Sequence, residues 1–376
     1  MSSKLNLNII IIGGGLVGCA CGHFLAQKGV NVTILEQNCL ASGASGANSG
    51  LLSIGPVDST KLVTLFKEGR RIVQEEINEQ ISSFEYIHSG FLYIGLNDQD
   101  ESELKNRAEA LSIHGIDSQF LYDRELFKVE PVLRREIPCG LFIPSTGHFN
   151  PFLLNYAFAK SVIQNGGVIH QGVRVSSVKP EGNSFLVQSE KETFTSDAVV
   201  LATGWQAYEI AKPLGLTIPV VPARGQIIIS EPLGSITQKV IMTLDDYYFR
   251  QTVSGTCQIG SQLELVGPDK TLTLPVLREI AKRVTDLIPF LKKIRMLRAY
   301  AGLRPLSPDS MAIVGNAPGI EGLYLACGHS RTGATMSTLT GKVISELIID
   351  GRTKIDISVW NPKRFDGKTF EESYNG

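Results

Sequence analysis

The chain has 376 residues, 43% hydrophobic and 19% charged, a balance that fits a folded globular protein and excludes a disordered one. Its 36 Lys and Arg against 37 Asp and Glu leave no net field to gather nucleic acid or anionic lipid, so small molecules are the expected partners. The length points to two domains, and the six cysteines, at 19, 21, 39, 139, 257 and 327, lack metal-type or disulfide-type spacing, which sets the expectation of a reducing cytoplasm and no metal.

Asn8 to Ile12, "NIIII", predicts a fully buried strand of a parallel sheet. Gly13, Gly15 and Gly18 follow as G-x-G-x-x-G, a helix is predicted from Leu16 to Lys28 and closed by Gly29, and a second strand over Val32 to Leu35. In such a βαβ unit Gly13 permits the tight turn, Gly15 admits a pyrophosphate to the backbone, and Gly18 allows close helix packing, while the helix N-terminus offers amides to phosphate. Glu36, ending the second strand, can accept hydrogen bonds from an adenosine ribose and would repel a 2'-phosphate, which leaves NAD or FAD as the dinucleotide. Glycines and polar residues interrupt this apolar start, so it is not a signal peptide, and no later stretch reaches the roughly 18 apolar residues of a membrane span.

"CLASGASGANSGLL", residues 39 to 52, is built almost wholly of small residues, a backbone suited to pass close to a bulky ligand; Ser42, Ser45 and Asn48 are placed to cap a following helix or bond a ligand. A helix is predicted near 58 to 81, a strand in "HSGFLYIGLND", a solvated helix in "DESELKNRAEALSIHGI", and a short helix ended by Pro131. An apolar helix from Pro151 to Gly166 and strands through "GGVIHQGVRVSSVK" follow. Residues 219 to 305 read as alternating β-structure, with a helix predicted within them from about Leu274 to Leu291.

Four segments together resemble the amine-oxidising flavoproteins of the D-amino-acid oxidase and glycine oxidase family, which includes sarcosine oxidase and D-amino-acid dehydrogenases. They are residues 39 to 52, "DAVVLATGWQA" (197 to 207), "AGLRPLSPDSMAIVG" (301 to 315) and "GLYLACGHSRTGATMSTLTGKVISELIIDG" (322 to 351). The resemblance runs over nearly the whole chain in order. It implies FAD rather than NAD, and an α/β fold in which a discontinuous Rossmann-like FAD-binding domain (1–84, 152–218, 306–376) interleaves with an antiparallel-sheet substrate domain (85–151, 219–305).

It also implies where FAD is held. At the opening turn these positions are Gly13, Gly15, Leu16, Val17 and Gly18, with Glu36 and Gln37 after the second strand. In the small-residue segment they are Ser42, Ala44, Ser45, Asn48, Ser49, Gly50 and Leu51. Val175 is expected to meet the adenine through its backbone. Ala202, Thr203, Gly204 and Trp205 form a central turn, and Gly225 lies in an Arg-Gly-Gln segment with Arg224 and Gln226 at the flavin edge. Gly328, His329, Ser330, Arg331, Thr332, Gly333, Ala334 and Thr335 make the closing loop and helix start, whose amides would stabilise charge on a reduced flavin. Some relatives tether the flavin through a cysteine two residues before the Arg304 position; Gly302 stands here, so the FAD is expected to be noncovalent.

For chemistry, Arg304 is the expected carboxylate fork, since a guanidinium binds a carboxylate bidentately and keeps its charge. Tyr248 is expected to support it; Tyr247 points to the opposite strand face, and only one of the two can face the flavin. His329 is the third candidate, in a positioning role rather than as a base, and the other histidines read as structural. The implied reaction is oxidation of a small amino acid or secondary amine (glycine, sarcosine, a D-amino acid or proline) by hydride transfer to flavin N5, with hydrolysis of the imine and electrons passed to O2 or to a redox partner or quinone. The alternatives are an FAD-dependent 2-hydroxy-acid dehydrogenase, which needs a base for its hydroxyl proton, the flavin subunit of a hetero-oligomeric amino-acid or opine dehydrogenase, and a flavin-binding module without turnover.

Overall fold

The computed structural model of the chain describes residues 7–77, 80, 81, 83–260, 262–371 and 373. Residues 78 and 79 of the helix expected near 58 to 81, and residue 261 of the β-region, lie outside these.

The isoleucines of Asn8–Ile12 are each 4% exposed or less. Their burial stabilises the fold by roughly 2 kcal/mol apiece. A strand so apolar must be covered on both faces, and it lies inside a six-stranded sheet ordered Ile313–Asn316, Leu323–Cys327, Ala198–Leu201, Asn8–Ile12, Asn31–Glu36, Val168–Gln171. Every neighbouring pair is parallel except the edge strand Ile313–Asn316. Strand alternation sends Ile9 and Ile11 into a core shared with the helices Leu16–Gln27, Pro151–Gln164 and Gly333–Asp350, and Ile10 and Ile12 into one shared with a three-stranded antiparallel sheet at residues 175–196. First and last helices run in close contact: a Cβ on Gly341 would stand 2.6 Å from the Ala20 carbonyl carbon.

A second sheet of eight strands is ordered Met296–Leu306, Val221–Ser230, Cys257–Gly260, Tyr248–Gln251, Val240–Thr243, Phe91–Gly95, Cys139–Ile143, Gln119–Tyr122. It is antiparallel apart from one pair, Val240–Thr243 with Phe91–Gly95. Parallel neighbours need a long connection, and here the chain builds two strands of the first sheet, Val168–Gln171 and Ala198–Leu201, between the two. Leu92 and Ile94 face the helix Leu274–Leu287, while Phe91 and Tyr93 face the helix Asp98–Ile113.

The helix expected from 58 to 81 is α-helical over Thr60–Arg71 and then widens into a π-helix, Ile72–Ile77. That register places Ile72 and Ile77, five residues apart and both fully buried, on the same core face. No helix follows Ser42, Ser45 and Asn48, because residues 40–47 form turns. Among the described residues no helix is long and apolar enough to cross a membrane.

Candidate cofactor and substrate site

One cavity of about 1020 Å³ runs between the two sheets, at the upper end of the range for small-molecule sites. Its first end is the glycine turn. Gly13 has a φ of +111°, and a Cβ there would strike the Ala202 carbonyl oxygen at 2.5 Å. Gly14 is clamped on both sides: its N–H donates to Glu36 Oε2 at 2.7 Å and its carbonyl accepts from Asn155 Nδ2 at 3.2 Å. A Cβ on Gly15 would meet only the Ser45 side chain within 4 Å, so this backbone is otherwise bare toward the cavity. Ser45 Oγ accepts from Leu16 N at 2.8 Å, so the serine caps the helix before it rather than one after it. Glu36 Oε1 accepts from Asn38 N at 2.9 Å and from Ser42 Oγ at 3.5 Å, whereas Oε2, bonded to Gly14 N, keeps a second lone pair for a ligand hydroxyl.

Midway, the wall is formed by residues 42–45 and 47–49, Leu51, the turn Ala202–Trp205 and the loop Gly328–Ala334. Thr203 Oγ1 is shielded from solvent without a partner, an orphan polar atom beside the cavity. The helix Gly333–Asp350 begins here, with no side-chain cap on its first amides, so a second positive helix end faces the space. Ser330 holds this loop to the other sheet: its N–H donates to the Pro305 carbonyl at 3.0 Å and its Oγ accepts from Ser307 N at 3.2 Å.

The far end is floored by one row of the eight-stranded sheet, in which Met242 pairs with both Tyr248 and Tyr93, and Gly260 pairs with Tyr248. A Cβ on Gly260 would come within 2.9 Å of the Tyr248 ring, so glycine there makes room for it. Ser49 Oγ donates to Tyr248 Oη at 2.7 Å, leaving the phenol's own proton to point elsewhere, and burial pushes its pKa up, keeping it a neutral donor. Arg304 lines the same end, and its Nη1 donates to the Gln262 carbonyl at 2.7 Å. Burial, with Arg331 nearby, pushes its pKa down to about 10, so the guanidinium remains charged at neutral pH. Space for it comes from Gly225, whose Cβ would lie 2.5 Å from Nη1. Gly302 is pressed against Ala47, where a Cβ would be 2.4 Å from the alanine methyl.

Most of the expected positions line this cavity, Val175 and Leu51 among them. Gly18, Gly50 and Thr335 do not. Gly18 gives way to the Gly13 carbonyl oxygen, 2.0 Å from where its Cβ would be, and Gly50 to the Phe149 carbonyl. Thr335 Oγ1 accepts from Ser53 N and fixes the segment Leu51–Ser53. Arg224 and Gln226 leave the flavin edge as well: alternation turns them to the opposite face, where both bond Glu264. Of the two tyrosines Tyr248 faces the cavity, while Tyr247 belongs to the core behind the sheet. His329 touches the cavity, but its Nε2 is hydrogen-bonded to Thr340 Oγ1 at 2.8 Å and burial pushes its pKa down to about 4, which holds it neutral. Arg331 is ion-paired with Asp246 at 2.5 Å. Phe91, Tyr93, Arg107, Met242 and Asp246 complete the far end and carried no motif in the sequence.

The bare glycine backbone, the paired helix ends and the orphan Thr203 hydroxyl fit a polar, anionic cofactor with an extended body, as FAD is. The sequence pattern of the DAO family, FAD dependent oxidoreductase, matches residues 8–347. The chain is 25% identical to glycine oxidase of Geobacillus kaustophilus over 368 residues, 96% of this chain and 98% of the relative. A crystal structure of glycine oxidase from that organism superposes with a TM-score of 0.91 at 23% identity, covering 96% of this chain and all of the other. Identity to hydrogen cyanide synthase subunit HcnC of Pseudomonas protegens is 27% over 419 residues, 95% of this chain and 96% of the relative. The structure of L-proline dehydrogenase from P. horikoshii matches with a TM-score of 0.89 at 26% identity, over 97% of this chain and 100% of that one. The chain belongs to the DAO family of FAD-dependent oxidoreductases.

Proposed function

We propose that the protein oxidises the carbon–nitrogen bond of a small amino acid or secondary amine held by its carboxylate at Arg304 and Tyr248. The observation that carries this reading is the pairing, at the end of the cavity away from the glycine turn, of a charged guanidinium with a neutral phenol. The guanidinium supplies a fixed fork for a carboxylate, and Tyr248, accepting from Ser49, has its O–H free to donate to the same group. FAD, when bound, supplies the acceptor for two electrons from the substrate carbon. Gly13 to Val17 and Glu36 would hold its adenosine diphosphate half, and the loop Gly328–Ala334 its ring system.

This chain's residues also prepare the amine. Arg304 neutralises the substrate carboxylate that otherwise stabilises the neighbouring ammonium, which lowers the ammonium pKa and releases its proton to water before the C–N bond is oxidised. The imine so formed is hydrolysed by water to a carbonyl acid and ammonia or an amine. An alcohol substrate would need a base for its hydroxyl proton, and His329 is turned to Thr340 instead. The names of the relatives, glycine oxidase and L-proline dehydrogenase, support an amine rather than a hydroxy acid.

The test is the anaerobic visible spectrum of the FAD-loaded protein with glycine, sarcosine, D-alanine, D-proline and L-proline, and with 2-hydroxy acids as controls. Bleaching by an amine is expected, and bleaching by a hydroxy acid alone overturns the reading. Admitting air then tells oxidase from dehydrogenase by the speed at which colour returns.

A further inference from the structure

The helix Asp98–Ile113 buries Leu104 and Leu111 against the eight-stranded sheet. Arg107, three residues after the first and four before the second, falls beside that inward stripe and is half-buried, with its Nε shielded from solvent. A charged side chain there is costly unless it meets an anion. Its guanidinium stacks on Tyr93, 4.5 Å from the ring centroid, with Nη2 only 3.4 Å from the phenol oxygen. Arg107 Nε is buried and donates to nothing, and among the described residues no carboxylate pairs with this arginine. Asp246, the acid that also lines this end, is occupied by Arg331. Tyr93 lies two strands from Tyr248 in the same row of the sheet, through Met242, so the two tyrosine backbones stand about 10 Å apart. Both arginines line the one cavity.

Building on the amine reading above, we propose that Arg107 receives a second anionic group of the substrate, so that the preferred amine is a dicarboxylate. One carboxylate sits at Arg304 and Tyr248, and the other, carried on the nitrogen substituent or on the side chain, at Arg107.

The test is ligand binding to the FAD-loaded protein, read from its visible absorption, with glutarate and its half-amide glutaramate, which match in size and differ by one charge. Glutarate is expected to bind about 10-fold or more tightly than glutaramate, the worth of a charge-assisted contact. Arg107→Gln should collapse that ratio to near one, whereas Arg107→Lys, which keeps the charge without the planar stack, should retain most of it. Equal binding of the two probes by the unsubstituted protein, or a ratio that survives Arg107→Gln, overturns the proposal. Iminodiacetate against the glutamate enantiomers, in anaerobic bleaching, then separates a nitrogen-borne from a side-chain carboxylate. Glutarate preference with no amine able to bleach the flavin would sink the amine reading alone; bleaching by sarcosine without glutarate preference would sink the second anion site alone.

Discussion

Gly225→Ala tests the carboxylate fork without touching a charged residue. The new methyl carbon would stand 2.5 Å from Arg304 Nη1 and 2.7 Å from Cζ and Nη2, against 3.4 Å for ordinary contact. The strand backbone is fixed by its pairing with Met296–Leu306, so the guanidinium, the end of a flexible side chain, must withdraw by roughly 0.9 Å. That motion costs little stability, and the melting temperature should hold within a few degrees. It costs function, because a fork displaced by that much loses about one charge-assisted hydrogen bond to the carboxylate, roughly 1.5 to 3 kcal/mol, or about 10- to 100-fold in kcat/KM. Stopped-flow reduction of the FAD-loaded variant by an amino acid and by its amide separates the causes. The amino acid should lose at least about 10-fold more than the amide does. Equal losses for both, or unchanged kinetics, would refute the placement of Arg304 as the carboxylate site.

Gly18→Ala would drive a Cβ to 2.0 Å from the Gly13 carbonyl oxygen, a backbone atom that cannot retreat without opening the turn, so FAD should be lost on gel filtration and thermal stability lowered; a yellow protein of unchanged stability contradicts this. Burial holds His329 and His23 neutral with pKa pushed down to about 4, and burial with Arg250 nearby takes His148 to about 3. Unfolded histidines titrate near 6.5, so from there down to about 4 the unfolded chain binds protons that the folded one refuses; the stability is full above the window and falls with pH through it, by at most about 1.4 kcal/mol per pH unit for each histidine. His329→Gln should flatten that slope between pH 6.5 and 5 in denaturant titrations, and an unaltered slope would show that His329 takes no part. Arg224→Ala strips the bidentate partner of Glu264 and the contact to Asp269, so the segment 262–273 should become the first site of limited proteolysis; equal protease resistance would show that other contacts hold it.

The glycine turn and its flanking strands were legible because their signal is local: four isoleucines, glycines at fixed offsets and an acid closing the second strand fix the unit within 30 residues. The far end was only half legible. Arg304 and Tyr248 came through family resemblance, and alternation alone left Tyr247 and Tyr248 as rivals until the strand's facing was known. The same alternation was available for Arg224 and Gln226, since neighbours of a cavity-facing Gly225 must point away. Tyr93 and Met242 were out of reach, because their pairing joins strands some 150 residues apart and no local pattern encodes it. Arg107 was hidden by its neighbours: in a helix rich in Asp and Glu one more charge reads as solvated, although its spacing from Leu104 and Leu111 puts it beside the buried stripe.

Arg304 and Tyr248, the groups proposed for the carboxylate, come from the eight-stranded sheet, and most of those proposed for the cofactor from the six-stranded sheet with its helices, so the distance between them is set at the seam. Two sets of hydrogen bonds reach across it between segments far apart in sequence: Ser49 to Tyr248, and Ser330 to Pro305 and Ser307. Each bond is an ordinary one of about 1 kcal/mol, a minor part of the stability of a chain this long. Reaction rate responds differently, since a misplacement of about 1 Å between reacting groups can lower it 100-fold. Ser330 makes the asymmetry concrete. It holds a left-handed φ of +48° and uses both its amide and its hydroxyl to tie the helix-start loop to the strand bearing Arg304. A non-glycine residue in that conformation carries a conformational cost that smaller backbones avoid, and the two bonds it makes recover little more than that cost. What they contribute beyond stability is a fixed angle between the positive helix end and the guanidinium fork, the geometry on which a two-electron transfer from a clamped substrate depends.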